Sequence, residues 1–161
     1  MLQQIFNDMC MKLTKDELKV IIRRAMDQLL TNEGSIIQNH INERTLTAHL
    51  ANYLEPFFKN YHVDCEYNRN YESGKYKPKY LSSHLTYPDI IIHRRLENKN
   101  NLVCIEVKTS YFDSNTLTLE IKKDKRKLLD FITPDNGYNF EYGVYIYIDA
   151  DSLSYKDEYF S

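Results

Sequence analysis

Glycine is scarce, with four residues in 161, and tryptophan is absent. So few glycines leave no glycine-rich loop to cradle a phosphate, and no repeat or low-complexity segment interrupts the chain. The cysteines, Cys10, Cys65 and Cys104, are odd in number and widely spaced, which sets aside a disulfide framework and a cysteine-built zinc site. Cys104 reads as core packing. The histidines are scattered, with no His-Glu-x-x-His pair, and no serine or cysteine is marked by a positioned base. No apolar run approaches membrane-spanning length and Met1 to Leu13 lacks a basic leader, so neither a transmembrane helix nor a signal peptide is expected, and a cytoplasmic location follows as the expectation.

At 161 residues, 42% hydrophobic and 27% charged, the chain can form one domain that buries roughly 70% of its unfolded surface. Its informative stretch is Tyr87-Pro88-Asp89-Ile90-Ile91-Ile92-His93 and, after a polar gap, Leu102-Val103-Cys104-Ile105-Glu106-Val107-Lys108. Each half is a short β-branched run of the kind buried on both faces of a sheet, so a charge inside it demands an explanation. The linker Leu96 to Asn101 is too short for a crossover, which predicts an antiparallel hairpin. With the loop centred near Glu97 or Asn98, residues whose numbers sum to about 195 or 196 face each other, setting Asp89 against Glu106 or its neighbour. Alternation puts Glu106 and Lys108 on one face and Val103, Ile105 and Val107 on the other.

Two acids and a lysine at a sheet rim suit metal-dependent phosphodiester hydrolysis. Hard oxygen ligands hold Mg²⁺ and leave waters for chemistry, while the lysine steadies the attacking water or the developing charge. Pro88-Asp89 followed by Glu106-Val107-Lys108 resembles the PD-(D/E)xK nuclease superfamily, the restriction-endonuclease-like fold. The resemblance implies an α/β fold with an αβββαβ core, a mixed central sheet flanked by helices, over residues 41–149. A helical addition over 1–34 would precede it and an acidic tail over 150–161 would follow. It also implies that Asp89, Glu106 and the Val107 carbonyl hold Mg²⁺ or Mn²⁺, that Lys108 positions the nucleophilic water, and that DNA is cut internally. Cutting both strands would favour a homodimer; no membrane is implied.

The flanking segments supply the remaining candidates. Thr14-Lys15-Asp16-Glu17 is a capping box, and Leu18, Ile21, Ile22, Ala25, Met26 and Leu29 predict an amphipathic helix ending near Gly34, as core or as a dimer surface. Ile5, Phe6 and Met9 suggest a shorter helix ahead of it. A helix over Ile41 to Lys59 carries Leu46, Leu50, Tyr53, Leu54 and Phe57, and Glu43 falls one turn earlier on that stripe. Glu43 is either the first-helix acid that joins the metal site in many superfamily members or an acid complementing the helix dipole. Val63 to Tyr71 is expected as the first strand, with Asp64 and Glu66 as edge polar groups.

Glu72 to Thr86 reads as a loop in which Lys75, Lys77 and Lys79 alternate with tyrosines, a phosphate grip with base stacking or a solvated loop. A helix over Leu119 to Ile132 has the apolar face Ile121, Leu128, Leu129 and Ile132. Its basic strip, Lys122, Lys123, Lys125, Arg126 and Lys127, is broken only by Asp124. Lys123 and Lys127 share a flank, as phosphate contacts or as the helix's wet side. Tyr142 to Asp149 is the last expected strand. The formal charge of −2 gives no global sign of nucleic acid, which leaves that case to local patches. The expected function is a Mg²⁺-dependent deoxyribonuclease. Two other readings stand beside it: a nucleic-acid-binding module with this fold but no turnover, and a structural ion cluster of Asp89, Glu106 and Lys108.

Overall fold

The computed structural model describes residues 13–72, 75–81, 84–97, 101–111 and 114–161. Helix α1, Lys15–Gln38, starts at the predicted capping box: Thr14 Oγ1 accepts the Glu17 N–H, and the Glu17 carboxylate accepts the Thr14 N–H at 2.8 Å. It runs past Gly34 because that glycine is buried against Leu153 rather than placed at a turn; a Cβ there would lie 3.2 Å from Leu153 Cδ1. The shorter helix expected around Ile5 to Met9 lies outside the described residues. Helix α2, Glu43–Leu54, is capped by Asn42, whose Oδ1 accepts the Thr45 N–H at 2.8 Å. It ends earlier than Lys59 because Pro56 turns the chain into a 3₁₀ segment, Glu55–Phe57.

The strands are β1 His62–Cys65, β2 Arg69–Glu72, β3 Lys75–Pro78, β4 Tyr80–Leu81, β5 His84–Leu85, β6 Ile90–His93 and β7 Asn101–Thr109; helix α3, Ser114–Ile132, and strands β8 Tyr142–Asp149 and β9 Ser154–Phe160 follow. The main sheet is five-stranded and mixed, ordered β1-β6-β7-β8-β9, with β7 and β8 parallel and the other neighbours antiparallel. The protein is thus α/β, and the expected order of helix, three strands, helix and strand is present as α2, β1, β6, β7, α3 and β8.

Ile90, Ile92, Val103, Ile105, Val107, Val144, Ile146 and Ile148 pack on one face against the buried stripes of α1 and α2. On the other face Ile91, Cys104 and Tyr145 meet Leu128 and Phe131 of α3. Leu129, expected on that apolar face, is 40% exposed, and Phe131 takes its place. Gly143 lets α3 approach the sheet: a Cβ there would lie 3.3 Å from Leu128 Cβ and 3.6 Å from Phe160 Cβ. Gly143→Val is therefore expected to overpack this contact by about 2 kcal/mol and lower the melting temperature by roughly 4–8 °C, as read by thermal denaturation.

Two expectations are corrected. The first strand ends at Cys65 because Glu66 adopts a left-handed backbone, φ 47°; Arg69–Glu72, mostly expected as the end of that strand, pairs separately with β3, and β3, β4 and β5 lie within what was expected to be a loop. The acidic tail over 150–161 contains an edge strand, β9, whose Tyr155 and Tyr159 pack against the core. Among the described residues no helix is long and apolar enough to cross a membrane.

Candidate active site

Strands β6 and β7 pair as Ile90 with Ile105, Ile91 with Cys104 and Ile92 with Val103, numbers that sum to 195 and continue to Asp89 opposite Glu106. Asp89 is fixed on both sides: its Oδ2 accepts the Val107 N–H at 2.8 Å, and its carbonyl accepts the Glu66 N–H at 2.9 Å. Glu106, Lys108 and Cys104 share the face turned to α3, while Val107 is buried on the opposite face.

Lys108 brings the end of α2 into this group. Its Nζ donates to Glu43 Oε1 at 2.8 Å, and Glu43 Oε2 accepts from Thr109 N at 3.0 Å and Thr109 Oγ1 at 3.2 Å. Glu43 is the first residue of α2, so it sits where the helix dipole favours an acid and also reaches the lysine of the motif.

Two residues of α3 complete the cluster. Asp124, 6% exposed, lies 3.6 Å from Lys108 Nζ through Oδ2. Lys127 Nζ lies 2.7 Å from Glu106 Oε2, 4.0 Å from Asp124 Oδ1 and 3.3 Å from the Tyr87 carbonyl. The expectation that Lys127 shares an outer flank with Lys123 is therefore corrected: it turns inward, burying its stem with its charge on the acids. Asp124 carried a readable signal. It lies three residues after Ile121 and four before Leu128, hence on the apolar stripe, where an acid is out of place. Tyr145 is the register partner of Glu106 on β8, and its buried hydroxyl has no hydrogen-bond partner among the described residues.

Four carboxylates, on Glu43, Asp89, Glu106 and Asp124, thus surround two ammoniums, on Lys108 and Lys127. The excess negative charge is largely out of water. Burial lifts Asp89 to about 6, against the Val107 N–H and Lys127, which act to lower it. Burial, then the Asp89 charge, pushes Glu106 well above the usual carboxylate range, and burial raises Asp124. Burial opposes the charge on each lysine, yet Glu43 beside Lys108 and Glu106 beside Lys127 hold both ammoniums above their ordinary value.

Among the described residues no three His, Cys, Asp or Glu side chains are already gathered as a metal cage. The donor set nevertheless fits a hard divalent cation, because Glu106 Oε1 and Asp124 Oδ2 are buried without a hydrogen bond among the described residues and the cluster carries surplus negative charge.

The basic residues divide. Lys123 is exposed, with Glu120 at 3.9 Å; Arg126 pairs with Asp130 at 3.3 Å and Lys125 with Glu158. Lys75 is exposed on β3, and the Lys77 side chain lies outside the described residues. Lys79, expected to face phosphate, is buried instead. Its ammonium donates to the carbonyls of Tyr67, at 3.0 Å, and Arg69 and lies over the Tyr67 ring, and burial lowers it to about 8. Asp64 pairs with His93 at 2.8 Å and with Arg95, and Glu66 pairs with Arg44 at 2.8 Å, so neither acid joins the cluster. Comparison with family models, curated proteins and solved structures finds no match for this chain.

Proposed function

We propose that this protein is a divalent-metal-dependent nuclease of the PD-(D/E)xK type, with a restriction-endonuclease-like core, that hydrolyses DNA phosphodiester bonds. The observation that carries the reading is the meeting of Asp89, Glu106 and Lys108 with Glu43, from three separate elements, at one end of β7. A purely structural ion cluster would be expected to balance its charges, since an unpaired buried carboxylate is costly; here the acids outnumber the lysines.

Asp89, Glu106 and the Val107 carbonyl are the groups that would hold Mg²⁺ or Mn²⁺, with Glu43 and Asp124 at the margin. Such a cation, when bound, polarises a phosphoryl oxygen and makes a nucleophile of its water at neutral pH. The chain's own groups do the rest. Lys108 stays protonated, and its ammonium orients the attacking water and stabilises charge on the phosphoryl oxygens. The Val107 N–H fixes the Asp89 carboxylate, and Thr109 fixes that of Glu43, so the acids are oriented before substrate arrives. Lys75, exposed on β3, and Lys123, exposed on α3, are the cations for substrate phosphates.

The test is incubation with linear, circular, branched and single-stranded DNA in Mg²⁺, Mn²⁺ or chelator. Cutting that needs the cation and falls at least about 10³-fold in Asp89→Asn and Lys108→Met is the expected result. Cutting that persists in both variants removes the enzyme reading. Folded protein that binds DNA in every metal without cutting points to the binding module.

A further inference from the structure

Lys127 stands among oxygen atoms in the manner of a bound cation. Its Nζ is 2.7 Å from Glu106 Oε2, 3.3 Å from the Tyr87 carbonyl and 4.0 Å from Asp124 Oδ1. Two carboxylates and a backbone carbonyl are the hard oxygen donors that otherwise take up a divalent ion. Glu106 is 1% exposed, so a metal reaching Oε2 must contend with the ammonium already on it. The lysine is not sealed in, however: its side chain keeps 21% of its surface in contact with solvent, and its flexible four-carbon stem can rotate outward from α3.

We propose that Lys127 is a built-in counter-ion on the Glu106 oxygen that a divalent cation would take, and that the metal enters by exchange with its ammonium. This rests on the nuclease reading and deepens it. In the metal-free protein Lys127 neutralises Glu106 and keeps the acid pair with Asp89 from flying apart electrostatically. On metal entry the ammonium leaves Glu106 and turns to the solvent side of α3, beside the site, where a substrate phosphate replaces the carboxylate as its partner. Metal and polynucleotide then assist one another, because each rewards the same displacement of Lys127. The exchange moves no covalent bond: one ammonium leaves a carboxylate and one divalent cation takes it.

Mn²⁺ titration by calorimetry of the chelator-treated full chain tests this, with melting curves to establish that each variant is folded. Lys127→Met, which keeps the stem and removes the charge, is expected to bind Mn²⁺ at least about tenfold more tightly than the wild type, since a positive charge so near the ion weighs heavily in a partly buried site. Lys127→Arg, whose permanent charge and forked donors hold Glu106 more firmly, is expected to bind about tenfold more weakly. Lys156→Met, an exposed lysine on β9, is expected to leave the affinity within about twofold and so controls for net charge. Mn²⁺ binding that is unchanged or weaker in folded Lys127→Met overturns the exchange while leaving a cation-dependent enzyme in place. If Lys127→Met does not fold, tighter or equal binding by Lys127→Arg overturns it instead. No Mn²⁺ binding by wild type and both variants overturns the exchange and the metal-dependent reading together.

Discussion

Glu106→Gln is expected to abolish cleavage and, in the same preparation, to raise the melting temperature of the metal-free protein at about pH 8. The two effects have one origin. Glu106 is 1% exposed, burial and Asp89 push its carboxyl well above the ordinary range, and one of its oxygens makes no hydrogen bond among the described residues. As pH rises above the ordinary carboxylate range, that raised carboxyl takes stability from the wild type, because its charge is buried among three other acids beside Lys127, whereas the amide does not titrate and offers donors to its acidic neighbours.

Removing one partner of a buried ion pair ordinarily costs about 3–5 kcal/mol, because the other charge is stranded. That cost is offset here, since Lys127 retains Asp124 within 4.0 Å and the acids still outnumber the lysines. A gain of several degrees in thermal denaturation, together with a fall in cutting rate of about 10³-fold or more, is the expected pair of measurements. A variant that melts well below the wild type at that pH would mean that the Glu106 charge supports the fold rather than the chemistry.

Asp89→Asn should expose the second large effect as a pH dependence. The Asp89 carboxyl titrates near 6 in the folded chain against 3.8 in the unfolded reference. Between those values the native state binds the proton that the unfolded state has lost, so stability falls as pH rises. The contribution is complete below about 3.8 and lost on passing through about 6. Comparing wild type with Asp89→Asn cancels groups with the opposite sign, such as His93, whose burial favours the neutral ring and so adds stability as pH rises. The two melting temperatures are expected to diverge from about pH 4 to pH 7, the wild type falling behind by roughly 2–3 kcal/mol, or on the order of 5–10 °C. Saturating Mn²⁺ should close the gap from the wild-type side only, since binding to the native state stabilises it and the amide lacks the ligand charge. Parallel curves with no divergence would place Asp89 in contact with water and remove it from the buried cluster.

The site's geometry was legible where short-range rules leave little freedom. The linker between β6 and β7 is too short for anything but a hairpin, so counting brought Asp89 opposite Glu106 to within one residue, and strand alternation then placed Lys108 on the Glu106 face. Glu43 was readable from its place on the stripe of α2. Lys127 was not, because a lysine beside four other basic residues has the same local pattern whether its ammonium faces water or bends inward; the deciding partner, Glu106, is distant in sequence.

Strand β9 was hidden by composition. Its alternating Tyr155, Asp157 and Tyr159 show a period of two, but the acids around them suggested a solvated end, and only pairing with β8 fixes them. The early end of β1 at Glu66 depends on a left-handed backbone that glutamate does not advertise, and Lys79 was misplaced because the carbonyls that receive it belong to a fold-back of the chain.

That fold-back leaves and rejoins the sheet at one spot, for Cys65 and Ile90 are direct partners across β1 and β6, and the excursion between them, short of Asp89, carries β2 to β5. It is tied near its two ends by Glu66, on the Asp89 carbonyl and on Arg44, by Tyr67 beside His93 and by the Tyr87 carbonyl on Lys127, while Lys79 braces it internally on the Tyr67 and Arg69 carbonyls. On the proposed reading, whatever the excursion grips is therefore separable from how the bond is broken. Lengthening, trimming or replacing it would change the choice of polymer while β7 and the two helices flanking the acids kept their places, so selectivity and turnover in such a chain are free to diverge at different speeds.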